Sequence, residues 1–404
     1  MIPALARRTK GPIHRDPFQL ATDSHDPRFD GVFFVGITTT HIYCRPVCPS
    51  RLAYDRHRRF FNSAAAAERA GFRPCLRCRP ELAPGRAVLD AVSQLARAAA
   101  RRIAAGALNG RNVADLAREL GVSERHLRRA LERELGVAPH ELAQTHRLLL
   151  AKRLIVDTDL PMTRVAYASG FQSLRRFNAV FRAQYRMSPS ALRHGRRARP
   201  WVEGSLRLTL AYRPPLAWEP LLHGLGCAPP HYERRIQIED KAGLVIVENS
   251  GAESHLIVQI ADSLLPVLMP LIAGLRRVFD LDAEPAVIGA HLAEHGLADL
   301  VARWPGVRVP GKLDALVSPD DFPASDRELL RVAERWRPWR AYAAQYLALQ
   351  RELRDGQLHI ARSFDATSMA PERTPERSGV SAGPALVRAN RGSKSSGKNR
   401  VRGA

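Results

Sequence analysis

The sequence predicts a multidomain protein of the α+β class. Its 404 residues are enough for two to four domains, because a domain usually contains about 100–200 residues. Four of the five cysteines lie close together near the start of the chain, the middle of the chain shows helical periodicity, and runs rich in β-branched residues begin after position 199. These three observations divide the chain into consecutive regions of different architecture.

The composition favours a globular protein that binds a polyanion. The chain is 45% hydrophobic and 25% charged, and 62 Lys+Arg against 40 Asp+Glu give a formal net charge of +22. A surface this basic attracts nucleic acid or an acidic membrane surface. No signal-peptide pattern opens the chain. The apolar run 256–275 is interrupted by Gln259, Asp262, Pro266 and Pro270. It therefore predicts a buried strand followed by a core helix rather than a membrane span. We expect a soluble intracellular protein without a membrane partner.

The spacing of four cysteines predicts a zinc site. Three residues separate Cys44 from Cys48, two separate Cys75 from Cys78, and 26 separate the two pairs. Two such pairs can complete a tetrahedron around Zn²⁺ with Zn–S distances of about 2.3 Å. Disulfides are less expected in a chain that looks cytosolic. Cys227 stands apart, and we expect it to fill apolar space.

The spacing alone leaves two functions of the cysteines open. Four thiolates complete the shell of Zn²⁺ and leave no position for water, which favours a purely structural site. A reactive site is the alternative, because zinc keeps its sulfurs deprotonated and the thiolate is the nucleophile. Nearby arginines could bring a phosphate to a thiolate or could form a solvated or DNA-facing surface. These arginines are Arg45, Arg51, Arg56, Arg58 and Arg59.

The whole segment 30–81 resembles the zinc domain of the Ada family of adaptive-response proteins. The resemblance includes CRPVC, the aromatic pair Phe60 and Phe61, and AGFRPCLRCRP. It implies a small zinc-bound α+β domain over 13–86 in a protein of the bacterial cytosol. It also implies that the first cysteine of CRPVC accepts a methyl group from a methylated DNA phosphate. In this sequence the acceptor is Cys44, and Cys48, Cys75 and Cys78 hold Zn²⁺ beside it.

Such a methyl transfer would change the charge of the cluster. Four thiolates on Zn²⁺ have a formal charge of minus two, and methylation of one sulfur, which can stay on the metal as a thioether, reduces it to minus one. Less negative charge then faces the DNA backbone, so the affinity for DNA should rise. The S-methyl bond is not readily reversed, so each molecule acts once.

Two helix-turn-helix units are predicted over 87–198. This region has 20 Lys+Arg against 9 Asp+Glu and thus holds half of the excess positive charge. In the first unit an i, i+3, i+4, i+7 apolar face ends at Leu120, Gly121 breaks the helix, and Ser123 can cap the next helix. About fifty residues later the pattern recurs around Gly170. A helix, a glycine turn and a capped basic helix form a helix-turn-helix.

The second unit, GFxSxxxFxxxFxxxYxxSPxxxR, resembles AraC-type regulators, which carry two such units, and the resemblance covers 87–194. Phe177 and Phe181 are one turn apart, which predicts core packing rather than base stacking. Arg can read guanine and Gln can read adenine, while other side chains touch only phosphate or belong to a solvated face. The expected DNA contacts are Arg45, Arg51, Ser123, Arg125, His126, Arg128, Arg129, Gln172, Ser173, Arg175 and Arg176.

A third domain is predicted over 199–285. RLTLAYR, HYERRIQI, LVIVEN and SHLIVQI indicate strands, and SLLPVLMPLIAGLRRVFDLD indicates a helix. LAYRPPLAWEPLL, YERRIQI and RRVFDLDAEPAVI resemble the TBP-like N-terminal domain of the alkyl-base glycosylase family that includes AlkA. In that family a helical domain with a catalytic Asp follows. Asp326 matches that Asp, but intervening helices on the order of 80–100 residues are missing.

We therefore expect residues 286–361 to be a truncated glycosylase remnant in which Asp326 is non-functional. Trp304, Trp336 and Trp339 should then be packing residues. The termini 1–12 and 362–404 are predicted to be disordered, and the second is basic enough to add non-specific DNA affinity.

The function predicted from the sequence is a DNA-alkylation sensor and transcriptional activator. Cys44 would act as a single-turnover methyltransferase on DNA methylphosphotriesters. The partners would be double-stranded DNA, both alkylated and promoter sites, and RNA polymerase. No PCHRV-like second acceptor motif is present, so direct repair of O6-methylguanine is not expected. The alternatives are a transcription regulator whose zinc is only structural, and a DNA-3-methyladenine-type glycosylase that performs base excision repair through Asp326.

Overall fold

The computed structural model describes residues 17–84, 93–194, 204–251, 254–313 and 331–355. They lie in one compact unit, Met1–His359, and the second unit, Ile360–Ala404, is outside them. The described residues form the predicted α+β fold, with a small N-terminal sheet, a helical region and a second sheet. Several predictions fall outside the described residues. They concern Asp326, the disordered termini, and the domain boundaries near 86 and 198. No described helix is both long and apolar enough to cross a membrane.

The N-terminal sheet has the strand order β3-β1-β2-β4. Strand β1 runs antiparallel to β2 and β3, whereas β2 and β4 are parallel. A small aromatic core that includes Phe34, Tyr43 and Phe72 packs between the sheet and helix α2. The elements are α1 (Pro17–Asp23), β1 (Phe34–Ile37), β2 (Ile42–Cys44), β3 (Arg58–Phe61), α2 (Ala64–Arg69) and β4 (Arg73–Pro74).

The helical region contains both predicted helix-turn-helix units, α4–α5 and α7–α8. Ser123 and Ser173 cap the second helix of each unit, and each hydroxyl oxygen accepts a hydrogen bond of 3.2 Å from a backbone amide. The turns contain Gly121 and Gly170 at φ of 68° and 88°, a left-handed conformation that glycine adopts without strain. The helices are α3 (Gln94–Ala104), α4 (Val113–Glu119), α5 (Glu124–Leu135), α6 (Pro139–Asp157), α7 (Met162–Ala168), α8 (Leu174–Tyr185) and α9 (Pro189–His194).

The second sheet is antiparallel throughout, with the order β5-β8-β7-β6. Its inner face shares one hydrophobic core with the second helix-turn-helix unit, and Phe177 and Phe181 are fully buried there, which confirms their packing role. The elements are β5 (Ser205–Ala211), α10 (Trp218–Gly224), β6 (His231–Ile238), β7 (Lys241–Asn249), β8 (His255–Ala261), α11 (Leu268–Val278), α12 (Pro285–Leu292), α13 (Ala298–Arg303) and α14 (Arg340–Arg354).

The helix predicted over 263–282 is shorter than expected. Residues Asp262–Val267 form a 3-10 segment, and α-helical geometry begins only at Leu268. Pro266 has no backbone N–H and its ring clashes with the preceding turn, so it cannot lie inside an α-helix without breaking it. The packing role expected for the three tryptophans is confirmed, because Trp304, Trp336 and Trp339 are all buried.

A buried ion pair joins the zinc domain to helix α6. The Lys152 side chain is fully buried, and its Nζ contacts the Glu81 carboxylate, which is 2% exposed. The same Nζ donates a 3.1 Å hydrogen bond to the carbonyl of Cys75. Arg79 adds hydrogen bonds to Glu81 at 3.1 Å and to Asp157 of α6 at 2.7 Å. The backbone of the cysteine loop is therefore fixed to the helix between the two DNA-binding units.

A second buried contact between the same two regions is centred on Glu68. Its carboxylate accepts hydrogen bonds from the Tyr43 hydroxyl at 3.0 Å and from the Thr145 hydroxyl of α6 at 2.6 Å. Burial raises the pKa of Glu68 to about 7, because the ionised carboxylate loses its hydration. Ser63 also donates to the carbonyl of Leu135 at 2.8 Å. Polar groups on both sides are thus satisfied only when the zinc domain is docked.

The substitution Lys152→Met should destabilise the zinc-bound protein by about 3 kcal/mol. This is the lower end for breaking a buried ion pair, because Arg79 still contacts the Glu81 carboxylate left behind. Urea unfolding followed by circular dichroism measures the change. Lys241→Met is the matched control, because Lys241 forms a surface pair with Asp240 and its loss should not move the transition.

A double variant, Glu81→Gln with Lys152→Met, should recover part of the lost stability, because it removes both buried charges. An unchanged unfolding midpoint for Lys152→Met would show that the pair does not stabilise the docked domains.

Candidate metal centre and nucleic-acid interface

The parallel pairing of β2 and β4 brings the two cysteine pairs together. Tyr43 is paired with Pro74 in the strand register, so the next residues, Cys44 and Cys75, lie at the same end of neighbouring strands. The amide of Cys75 donates to the Tyr43 carbonyl at 2.9 Å. Short turns then return Cys48 and Cys78 to the same point, and the four Sγ atoms all lie within 4.8 Å of one another.

The cluster fits a zinc ion. Tetrahedral coordination with Zn–S distances of about 2.3 Å requires sulfur atoms about 3.8 Å apart, which is compatible with the observed spacing. Backbone amides of Arg45 and Arg77 donate to Sγ of Cys78 at 3.4 Å and of Cys75 at 3.3 Å. Hydrogen bonds of this kind stabilise thiolate ligands. The four cysteines predicted from spacing are therefore a set that can hold Zn²⁺.

Four thiols this close cannot all ionise near neutral pH without a cation among them. Hydrogen bonding with Cys48, then with Cys75 and Cys78, together with burial, raises the pKa of Cys44. The pKa of Cys48 is instead lowered to about 6, mainly by its hydrogen bond with Cys44. The protons are thus shared unevenly within the cluster, and a divalent cation supplies the charge that four thiolates need.

Cys44 differs from the other three cysteines in exposure, and from two of them in hydrogen bonding. It is half-buried, whereas Cys48, Cys75 and Cys78 are buried. Within the described part of the chain, no backbone amide donates to its Sγ, in contrast to Cys75 and Cys78. A thiolate without such donors keeps more of its electron density for attack on an electrophile.

The arginines beside the cluster fall into two groups. Arg45 is used within the domain, because its Nε donates to Asp30 at 2.8 Å and its Nη1 to the Cys78 carbonyl at 3.1 Å. Sequence reasoning missed Asp30, since nothing in the local pattern links the two positions. Arg51 is exposed in the segment between β2 and β3. The same segment has Tyr54, 68% exposed, with the Arg56 guanidinium 4.8 Å from its ring centroid.

The predicted DNA contacts of the two recognition helices lie on exposed faces at their N-terminal ends. Ser123 and Ser173 are exposed and act as helix caps. Arg128 is only half-exposed and its Nε donates to Glu124 at 2.9 Å, so this guanidinium is partly neutralised. The remaining predicted contacts are all exposed: Arg125, His126 and Arg129 on α5, Gln172 before α8, and Arg175 and Arg176 on α8.

Three protein families match consecutive parts of the chain. Residues 18–81 match the family described as the metal binding domain of Ada, residues 116–195 match a helix-turn-helix domain, and residues 207–314 match the AlkA N-terminal domain. These matches cover the zinc sheet, both helix-turn-helix units and the second sheet, respectively.

The names of two curated relatives combine transcriptional activation with DNA repair. A Mycobacterium tuberculosis protein named probable bifunctional transcriptional activator/DNA repair enzyme AlkA is 37% identical over 308 residues, or 73% of this chain and 62% of the relative. The Escherichia coli bifunctional transcriptional activator/DNA repair enzyme Ada is 28% identical over 173 residues, 43% of this chain and 47% of the relative. The chain thus spans less than two thirds of either protein.

Among solved structures, the methylated N-ADA/DNA complex aligns at 29% identity with a TM-score of 0.15, over 32% of this chain and 93% of that chain. The family matches and the first relative agree with the resemblance seen in the sequence. The chain contains the metal-binding domain of the Ada family, followed by an AraC-type helix-turn-helix domain and an AlkA N-terminal domain.

Proposed function

We propose that this protein senses DNA alkylation through Cys44 and activates transcription once that residue is methylated. The observation that carries the proposal is the burial of the cysteine cluster, in which Cys44 is half-buried and the other three residues are buried. The name of the Escherichia coli relative, an activator and DNA repair enzyme, supports both halves of the proposal. Activation implies RNA polymerase as a further partner at the promoter.

The proposed reaction is a direct displacement at carbon. The Cys44 thiolate attacks the methyl carbon of a methylphosphotriester, the C–O bond breaks, and an S–CH₃ bond forms. The neutral triester leaves as an anionic phosphodiester, so the cluster loses one negative charge and the DNA backbone regains one. Bound zinc keeps the sulfurs deprotonated at neutral pH.

The remaining residues of the site hold Cys44 in place. Cys48, Cys75 and Cys78 are buried and would bind the metal throughout. Arg45 fixes the turn that follows Cys44 through its contacts with Asp30 and the Cys78 carbonyl. A turn restrained in this way beside the thiolate would reduce the entropy lost on reaching the transition state.

Incubation with duplex DNA carrying methylphosphotriesters should transfer one methyl group per protein molecule, to Cys44. Peptide mass spectrometry locates the added methyl. Cys44→His, which can keep a zinc ligand at this position, should bind zinc and accept no methyl. Cys227→Ala is the matched control, because Cys227 lies outside the cluster and its loss should leave the transfer intact. Transfer that persists in zinc-loaded Cys44→His would exclude Cys44 as the acceptor, and no transfer to the zinc-loaded parent protein would leave a structural zinc site.

Methylation of Cys44 should strengthen DNA binding by between about 5-fold and about 10³-fold. One unit charge removed about 4 Å from a phosphate is worth about 1 kcal/mol in water and about 4 kcal/mol near a protein surface. Fluorescence anisotropy on one duplex, before and after methylation, measures the ratio. The gain should shrink as salt rises, and protein incubated with unmethylated DNA is the control. Equal affinities at low salt would contradict the charge mechanism.

The wild-type protein can be used to select its preferred duplex from a random pool. Arg175→Ala should weaken binding to that duplex by about 1–3 kcal/mol. Arg175 is exposed in the first turn of α8, where a recognition helix meets base edges or phosphates. Arg133→Ala is the control, because Arg133 is 81% exposed at the other end of α5 and should have little effect. Equal losses in both variants would indicate only a general effect of positive charge.

Base excision remains an alternative that rests on a name and a domain match. The Mycobacterium tuberculosis relative is named AlkA, and residues 207–314 match the AlkA N-terminal domain. The carboxylate that the reaction would need, Asp326, is outside the described residues. Trp304, Trp336 and Trp339, which could otherwise stack on a base, are buried. We therefore propose no glycosylase site in this chain.

A further inference from the structure

A cavity of about 920 Å³ lies where the zinc domain, helices α3 and α6, and the second sheet with α11 meet. Its volume is in the range of pockets that bind small molecules, about 300–1,000 Å³. It is separate from the cysteine cluster, since none of the four cysteines lines it. We propose that this cavity binds a small organic anion with an apolar body, such as a medium-chain or aromatic carboxylate.

The first argument is an arginine that faces the cavity without a full set of partners. The Arg153 side chain is 6% exposed, and in the part of the chain that the structure describes its Nε and Nη2 have no hydrogen-bond partner. Asp157 lies 4.0 Å from Nε, beyond hydrogen-bond distance, and it already accepts from Arg79. A buried guanidinium without a full set of partners destabilises the folded protein. An anion in the cavity would accept the missing hydrogen bonds.

A second arginine of the cavity lies among like charges. Nε of Arg101, on α3, is also buried without a hydrogen-bond partner among the described residues. Burial lowers the pKa of Arg101, and repulsion from Arg97 and Arg277 lowers it further against the attraction of Asp282. Arg97 and Arg277 line the same cavity. Positive charge is thus concentrated on the cavity wall.

The acidic residues of the wall have other partners. Asp282 is paired with Arg276. Asp280 accepts hydrogen bonds from the Tyr342 hydroxyl at 2.7 Å and from the Val309 amide at 3.3 Å. Glu81 is paired with Lys152.

These carboxylates act on the two arginines only through space. Asp282 attracts Arg101 and Glu81 attracts Arg153, but in the described part of the chain neither carboxylate accepts a hydrogen bond from the unpartnered Nε of Arg101 or from Nε and Nη2 of Arg153. An anion in the cavity can supply those hydrogen bonds.

The rest of the lining indicates the class of ligand. Most of the wall is apolar, with side chains from α6 and α11 that include Leu142, Leu149, Leu150, Met269 and Ile272. Inorganic phosphate would leave this surface in contact with water, and duplex DNA is too large to enter. A carboxylate or sulfonate on a hydrocarbon or aromatic body satisfies both the arginines and the apolar wall.

Binding of 8-anilinonaphthalene-1-sulfonate to the zinc-loaded full chain tests the proposal. Its fluorescence should saturate at one molecule per protein, and decanoate should displace it. Decyltrimethylammonium, which has the same chain length and the opposite charge, should not. Arg153→Met should weaken binding at least about tenfold, as expected for the loss of a charge-assisted hydrogen bond. Arg69→Met is the control, because Arg69 is half-exposed on α2, outside the cavity.

Arg153→Met should unfold at the same temperature as the parent protein or higher, because it removes a buried charge that has no full partner.

A second variant keeps the test valid if Arg153→Met folds poorly. Ala273→Phe places a ring in the cavity and should abolish dye binding, while zinc content and circular dichroism stay unchanged. Equal dye affinity in Arg153→Met, or equal competition by the cation, would overturn the proposal. Neither outcome bears on methyl transfer to Cys44.

Discussion

The docking of the zinc domain on the DNA-binding helices depends on one buried ammonium group, that of Lys152. A fully buried cation is tolerated only when anions and hydrogen-bond acceptors surround it. Here the partners are the Glu81 carboxylate and the carbonyl of Cys75, both from the zinc domain. Because Cys75 is also a predicted metal ligand, the contact that stabilises α6 also fixes the backbone of the cysteine cluster. The two regions are therefore coupled in position.

The features that could be predicted from the sequence are local. Each cysteine pair, each glycine turn and each serine cap involves residues within a few positions of one another, so its geometry follows from short-range rules. The strands of the second sheet follow from β-branched runs in the same way. The resemblance to known families added the order of the domains and the role expected of Cys44, which spacing alone left open.

The features that could not be predicted are contacts between residues far apart in the chain. Arg45 shows this clearly, because nothing in the sequence around it indicates its hydrogen bond to Asp30. The DNA contact expected of Arg45 stays a prediction. The sequence around Lys152 did not indicate a buried ion pair, since its partner Glu81 lies 71 residues away. The cavity with Arg101 and Arg153 exists only after three domains pack together. Such contacts depend on tertiary packing, which local sequence patterns do not indicate.

The two proposed sites share helix α6, which carries Lys152 toward the cysteine loop and Arg153 toward the cavity. Adjacent residues of a helix point in directions about 100° apart, so one helix can serve both sites without their overlapping. A methyl group on Cys44 would reduce the negative charge near Lys152 and Arg45. Their positive charge would then be less compensated, and the field at the exposed arginines of the zinc domain would become more attractive to phosphate. If Cys44 accepts a methyl group as proposed, the metal cluster would link that single methylation to the electrostatics of the proposed DNA-facing surface.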